Sequence, residues 1–185
     1  MKRFIKAAVV SALDEPLEVR MELSDRTDTD PSILDALAMD SNSRIRFQVA
    51  RNPSTSPETL AKLCDDDAQF VKTSVAKNPS TPVQLLEKLA THSDPFVRLA
   101  VALNDNIPSS VLEKLWADTS LSTRFAIARN PETPSEILMA LAEDTHWMTR
   151  QYVAENPGTP TSTLKQLAKD SINVVSSVAR KRLRS

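Results

Sequence analysis

The sequence predicts an all-α solenoid of stacked two-helix repeats. Two observations carry that expectation. A short motif recurs every 26 residues, and apolar residues stand three or four apart between its copies, with no strand-like alternation anywhere. A third agrees with them: the chain has one glycine against twelve prolines, and most of the prolines fall at corresponding places in successive copies.

The lead-in is read first. Met1, Lys2, Arg3, Phe4, Ile5 and Lys6 make a cationic start, and Lys6 interrupts the apolar run, which stays far below the ~20 residues of a membrane span. Residues 2–13 therefore read as a helix of a partial first repeat rather than as an export signal. The expected organisation is one repeat domain over 1–185. In it, 1–18 form an N-terminal cap, 19–174 six repeats, and 175–185 a closing helix (175–184) with a basic tail.

The motif is a Val-Ala or Ile-Ala pair followed after one residue by Asn: Val49-Ala50 with Asn52, Val75-Ala76 with Asn78, Val101-Ala102 with Asn104, Ile127-Ala128 with Asn130, and Val153-Ala154 with Asn156. Four of these asparagines precede Pro53, Pro79, Pro131 and Pro157, and a second proline soon follows at Pro57, Pro82, Pro134 and Pro160. The second proline marks a helix start, where its missing N–H costs nothing and a preceding Ser or Thr oxygen can accept an orphan amide. Thr81 with Gln84, and Thr133 with Glu136, have capping-box spacing.

Behind each start stand two leucines three apart: Leu34 and Leu37, Leu60 and Leu63, Leu86 and Leu89, Leu112 and Leu115, Leu138 and Leu141, Leu164 and Leu167. They share one buried helical face. The second helix of each repeat has its own apolar pair four apart, as in Ile45 and Val49, Val71 and Val75, Val97 and Val101. It ends at the asparagine, because proline disfavours helix in the residue before it. Two helices of about ten residues cannot bury such faces alone, whereas stacked copies share one core.

Composition removes several classes of function. With 23 basic and 24 acidic residues the net charge is -1, so nothing draws the whole chain to nucleic acid or an anionic membrane. Cys64 is the only cysteine, which excludes internal disulfides and thiolate-only metal or iron–sulfur sites and fits a reducing, cytoplasmic setting. Gly158 alone cannot build a glycine-rich phosphate loop. No cofactor and no metal are expected.

The Val-Ala-x-Asn-Pro-x-Thr-Pro run, with leucines three apart behind it, resembles the bacterial leucine-rich repeat variant family over about residues 14–180. The resemblance implies a right-handed superhelix in which a regular helix alternates with a shorter, partly 3-10 helix, here the second of each repeat. A family member carries a cysteine-rich iron–sulfur segment before its repeats. This chain lacks those cysteines, so the resemblance transfers a scaffold and no cluster.

A second periodicity sets an acid six residues before a base: Asp14 and Arg20, Asp40 and Arg46, Asp66 and Lys72, Asp118 and Arg124, Asp144 and Arg150. His92 before Arg98, and Ser176 after Asp170, break the series. Residues one repeat apart align in a solenoid, so these form rows of opposite sign. The same offset occurs in HEAT repeats, where it looks like a structural ladder: aspartates accept amides at helix starts and arginines bridge to neighbouring aspartates. The alternative is a row of bases free to grip phosphate or acidic side chains. The column of Asn52, Asn78, Asn104, Asn130 and Asn156 reads in the same way, since an amide both donates and accepts and can tie turns together between copies.

For a partner, the aromatics near the second helices are the candidates: Phe47, Phe96 with Leu99 on its face, Phe125, Trp147 and Tyr152, with Phe70 nearby. Core filling between repeats competes with a groove for a partner peptide or helix. Arg51, Lys77 and Arg129 form a basic row interrupted by Leu103 and Glu155, and Arg180, Lys181, Arg182 and Arg184 close the chain. These are the residues for nucleic acid, against the simpler reading of a solvated helix whose cations favour its C-terminal end. Catalysis has the least support: His92 and His146 stand two repeats apart, Cys64 has no histidine at a motif spacing, and the aspartates repeat too regularly to form a unique pair. A HEAT-like base-excision enzyme, with Trp116 or Trp147 near an acid, is the nearest enzymatic reading. The expectation is a non-catalytic scaffold for another protein; the alternative is a nucleic-acid-binding solenoid; membrane binding is not expected.

Overall fold

The structure is a computed structural model that describes residues 12–184; the expected lead-in helix and cationic start lie almost wholly outside them. The described residues form thirteen helices and no strand. They are α1 (Leu17–Asp25), α2 (Pro31–Leu37), α3 (Ser43–Arg51), α4 (Pro57–Leu63), α5 (Gln69–Lys77), α6 (Val83–Leu89), α7 (Pro95–Ala102), α8 (Ser109–Leu115), α9 (Leu121–Arg129), α10 (Ser135–Leu141), α11 (Trp147–Glu155), α12 (Thr161–Leu167) and α13 (Asn173–Arg182). This is the all-helical repeat stack of an α-solenoid. By contacts the chain divides into two compact units, Met1–His92 with Asn104–Asn106, and Ser93–Leu103 with Ile107–Ser185.

The even-numbered helices carry the leucine pairs, and both leucines of every pair are buried. The odd-numbered helices bury Ile45 and Val49, Val71 and Val75, Val97 and Val101 completely. Within the first unit α1, α3 and α5 pack on one another in succession, as do α7, α9, α11 and α13 within the second, while the leucine helices lie chiefly against the odd-numbered ones. The buried alanines Ala50, Ala76, Ala128 and Ala154 sit in this row, with Ser24 at the same place in α1. A small residue there lets helices approach closely, so within each unit the odd-numbered helices act as the spine.

One expectation is corrected. The shorter helix is the leucine helix, of seven residues, and the second helix is a regular α-helix of eight to ten residues, with no 3-10 helix among the described residues. Tightness survives only as a turn after each leucine helix. There Asp40, Asp66, His92, Asp118, Asp144 and Asp170 donate their N–H three residues back to Leu37, Leu63, Leu89, Leu115, Leu141 and Leu167. Such bonds satisfy end carbonyls that a short helix leaves open.

The helix starts also differ from the capping-box expectation. Pro31 and Pro57 are first helical residues, behind Asp30 and Ser56 side chains that accept from the Ser32 and Thr59 amides. Pro82, Pro108, Pro134 and Pro160 instead occupy the cap position itself, with no side-chain cap. Thr81 and Thr133 face the other way and donate their hydroxyls to Val75 and Ile127 carbonyls at 2.5 and 2.6 Å. Thr29, Thr55 and Thr159 do the same to Leu23, Val49 and Val153. The carbonyl near the end of the preceding helix is buried and needs a donor, and the threonine answers that need before its own helix begins.

Candidate interaction face

Each aspartate at the turn before a second helix does two things. Its Oδ1 accepts the N–H two residues on, at Asn42, Ala68, Ser120, His146 and Ile172. Its carboxylate also receives the arginine twenty residues earlier, from the preceding repeat. Arg46 meets Asp66 through Nε–Oδ2 at 2.6 Å and Nη2–Oδ1 at 2.9 Å, and Arg98–Asp118, Arg124–Asp144 and Arg150–Asp170 are built alike. Arg20 reaches Asp40 through Nη1 alone at 2.6 Å. The pair six apart, by contrast, is joined through the backbone: Nη1 of Arg46, Arg124 and Arg150 donates to the carbonyl of Asp40, Asp118 and Asp144. Asp14 lies exposed, and at the position twenty residues after Lys72 stands His92, which offers no carboxylate.

Burial works to raise the carboxyls of Asp66, Asp118 and Asp144, but the arginine hydrogen bond and the turn amide outweigh it and hold all three below the ordinary carboxylate value. At Asp170 the Arg150 hydrogen bond is the leading cause of the same lowering. These arginines are thus engaged with aspartates of the next repeat. The asparagines are engaged too: Nδ2 of Asn52, Asn78, Asn104 and Asn156 each bridges two carbonyls of the preceding repeat, and Oδ1 accepts the amide two residues on, an acceptance Asn130 shares.

The last member of that column was hidden by its residue type. Arg182 stands 26 residues after Asn156 and donates to the Ala154 and Asn156 carbonyls, the two positions an asparagine would bridge. Arg180, at the place of the buried spine alanines, turns its Nε to the Ala168 carbonyl at 3.0 Å. Two of the four tail residues considered for nucleic acid are thus taken up in closing the stack. Lys181 and Arg184 remain exposed and border an open depression with Asn173, Ser177 and Arg180.

The aromatic candidates other than Phe96 gather into two clusters, one in each unit. In the first, Phe47 meets Phe70 edge to face at 5.8 Å, and the Arg51 guanidinium lies 5.4 Å from the Phe47 ring centre. Phe47, Arg51, Phe70, Thr73, Ser74, Lys77, Asn78 and Pro79 line a groove of about 330 Å³. In the second, Phe125 lies 5.4 Å from Tyr152 and 5.3 Å from His146, which stacks on Trp147 at 6.0 Å, and Arg129 covers Tyr152 at 5.2 Å. Phe96 is 72% exposed, with Leu99 half-buried behind it. None of these rings is buried core. Phe70, 23 residues beyond Phe47, is the member whose part in the groove the 26-residue pattern did not single out.

Charge is segregated along the second helices. Of the odd-numbered helices from α3 onward, only α11 contains an acid, Glu155, and it accepts a bond from Gln151. Arg44, Arg51, Lys77 and Arg129 are exposed there. Cys64 is buried, which pushes its thiol up, away from reactivity. Among the described residues no group of three or more His, Cys, Asp or Glu side chains is placed to hold a metal, and no helix is long and apolar enough to cross a membrane.

Comparison with known proteins agrees with this geometry. The family model of the Leucine Rich Repeat Variant domain matches residues 44–105, which bears out the resemblance read from the motif. The solved structure titled "A leucine-rich repeat variant with a novel repetitive protein structural motif" is similar to 97% of this chain and 71% of its own, at 22% identity and a TM-score of 0.74, a likeness of fold. An engineered protein aligns over 90% of this chain and 88% of its own at 16% identity, with a TM-score of 0.38 too low to carry an argument. No curated protein matches the chain.

Proposed function

We propose that this chain, a repeat stack of the leucine-rich repeat variant kind, is a non-catalytic scaffold that holds another protein on the face of its second helices. One observation carries the reading: Phe47 and Phe70 stand side by side and partly exposed in a groove whose charged residues are Arg51 and Lys77. Aromatic rings and arginine at the centre of an apolar groove are the residue types that anchor protein interfaces. Among the described residues, the aspartates, arginines and asparagines that recur in every copy are largely taken up in ladders between repeats. The nucleic-acid alternative is weakened by Arg182, whose Nη1 and Nη2 go to carbonyls, and in part by Arg180, whose Nε does.

Affinity capture from the source cell's lysate, with and without nuclease, tests the reading. The bait is the whole chain beside a Phe47→Ala, Phe70→Ala double variant of matched thermal stability. A protein that survives nuclease on the wild type and is lost on the variant is the expected result. Retention that disappears with nuclease on the wild type moves the function to nucleic acid.

A further inference from the structure

We infer that the Phe47–Phe70 groove takes an acidic peptide segment of its partner, with one apolar side chain inserted beside the rings and carboxylates set on Arg51 and Lys77. The inference rests on the scaffold reading and names the chemistry of its partner.

Charge is the first argument. The groove lining holds two cations and no carboxylate. Three acids on neighbouring turns are already engaged, Asp66 and Asp67 by Arg46 and Asp25 by Gln48. Among the described residues Arg51 has the Phe47 ring as its partner, and Lys77 forms no ion pair. In a chain of net charge -1, such a patch is a local excess that only a negatively charged ligand complements.

Shape is the second. A volume of about 330 Å³ lies at the low end of ligand sites, which run from about 300 to 1,000 Å³. It suits a side chain better than a cofactor. The rings meet edge to face, with an interplanar angle of 63°, and the guanidinium covers one of them. Base stacking needs an open aromatic face, which Phe47 does not offer. The basic row is also broken: Leu103 and Glu155 stand where Arg51 and Lys77 recur. A phosphate backbone would need a continuous track of cations. A carboxylate-bearing segment with an apolar anchor needs only the two cations and the rings.

The test is selection from a displayed random-peptide library on the whole wild-type chain, with counter-selection on an Arg51→Glu, Lys77→Glu variant shown by thermal unfolding to fold. Survivors should pair Asp or Glu with a large apolar residue. Their binding should weaken about tenfold or more in the charge-reversed variant and likewise in Phe70→Ala. Selected peptides that are neutral or basic, or an empty selection, would overturn the acidic-peptide inference. So would a fluorescent oligothymidine that binds wild type and is lost on charge reversal. The scaffold reading fails separately: it falls if a captured protein is retained equally by wild type and by the Phe47→Ala, Phe70→Ala variant. It stands if capture depends on the rings but is indifferent to charge reversal, a result that sinks the acidic partner alone.

Discussion

Arg46 holds Asp66 of the next repeat by two hydrogen bonds, 2.6 and 2.9 Å long, while a third from the same guanidinium, 2.8 Å long, goes back to the Asp40 carbonyl of its own repeat. One side chain thereby ties the end of one leucine helix to the turn of the following copy. Aspartate and arginine are planar and fork-shaped, so the pair fixes orientation as well as distance.

Removing one side of such a pair strands the other. Asp118 accepts Arg98 at 2.5 and 3.0 Å and the Ser120 amide at 2.6 Å, and its side chain is 5% exposed. Asp118→Asn keeps the shape, loses the charge, and should cost about 1 to 3 kcal/mol in urea unfolding. Partner binding should change less than stability; a large loss of binding at unchanged stability would mean that Arg98 serves a ligand.

Acid should weaken the stack through the same groups. The folded-state carboxyls of Asp66, Asp118, Asp144 and Asp170 are all lowered, so unfolding takes up protons. The stability they contribute is complete above the unfolded carboxylate value of about 3.9, and is lost as pH falls from there through the depressed folded values. The urea midpoint should vary little from neutrality to about pH 5 on account of these groups and drop below about pH 4. Asp118→Asn should flatten part of that drop. An acid limb unchanged by the substitution would exclude the ladder as its source.

The asparagine column should be costly to break. Asn78 is 2% exposed and makes three bonds, to the Ala50 and Asn52 carbonyls and from the Ser80 amide. Asn78→Leu strips the Ala50 carbonyl and the Ser80 amide of these bonds, leaves the Asn52 carbonyl only the Thr55 amide, and should destabilise by about 2 kcal/mol or more. A midpoint shift no larger than that of an exposed substitution such as Ser110→Ala would refute the role.

One buried hydroxyl should be better absent. Thr123 is fully buried at the position held by Ile45, Val71 and Val97 in earlier repeats, and its Oγ1 has no hydrogen-bond partner. Thr123→Val retains the branched shape and removes the unpaired polar atom, so the protein should gain about 1 kcal/mol. Destabilisation on thermal melting would show that the hydroxyl is satisfied in solution.

How much of this was legible depends on range. Helix identity and burial follow from spacing within one copy, so Leu86 with Leu89 and Val71 with Val75 could be placed from sequence by period alone. The direction of a hydroxyl could not. Thr81 followed by Gln84 fits a capping box locally, yet the Val75 carbonyl six residues back wins the hydroxyl. Asp66 and Arg46 were visible as two rows, but whether an arginine pairs within its repeat or across to the next is a matter of distance in space. Arg182 was masked by identity, since a guanidinium fills a place that five asparagines define.

The sequence by itself determined the repeat length, the two-helix unit, the buried faces and where the second helices stop, because each depends on chain-local periodicity and on what proline forbids. Tertiary structure decided which helix is the shorter and where every buried donor goes. It also decided which aromatics stay at the surface and which cations are still free to meet a partner. Those outcomes turn on competition among groups from different repeats for the same few carbonyls and carboxylates, and only the stacked chain brings the competitors within reach of one another.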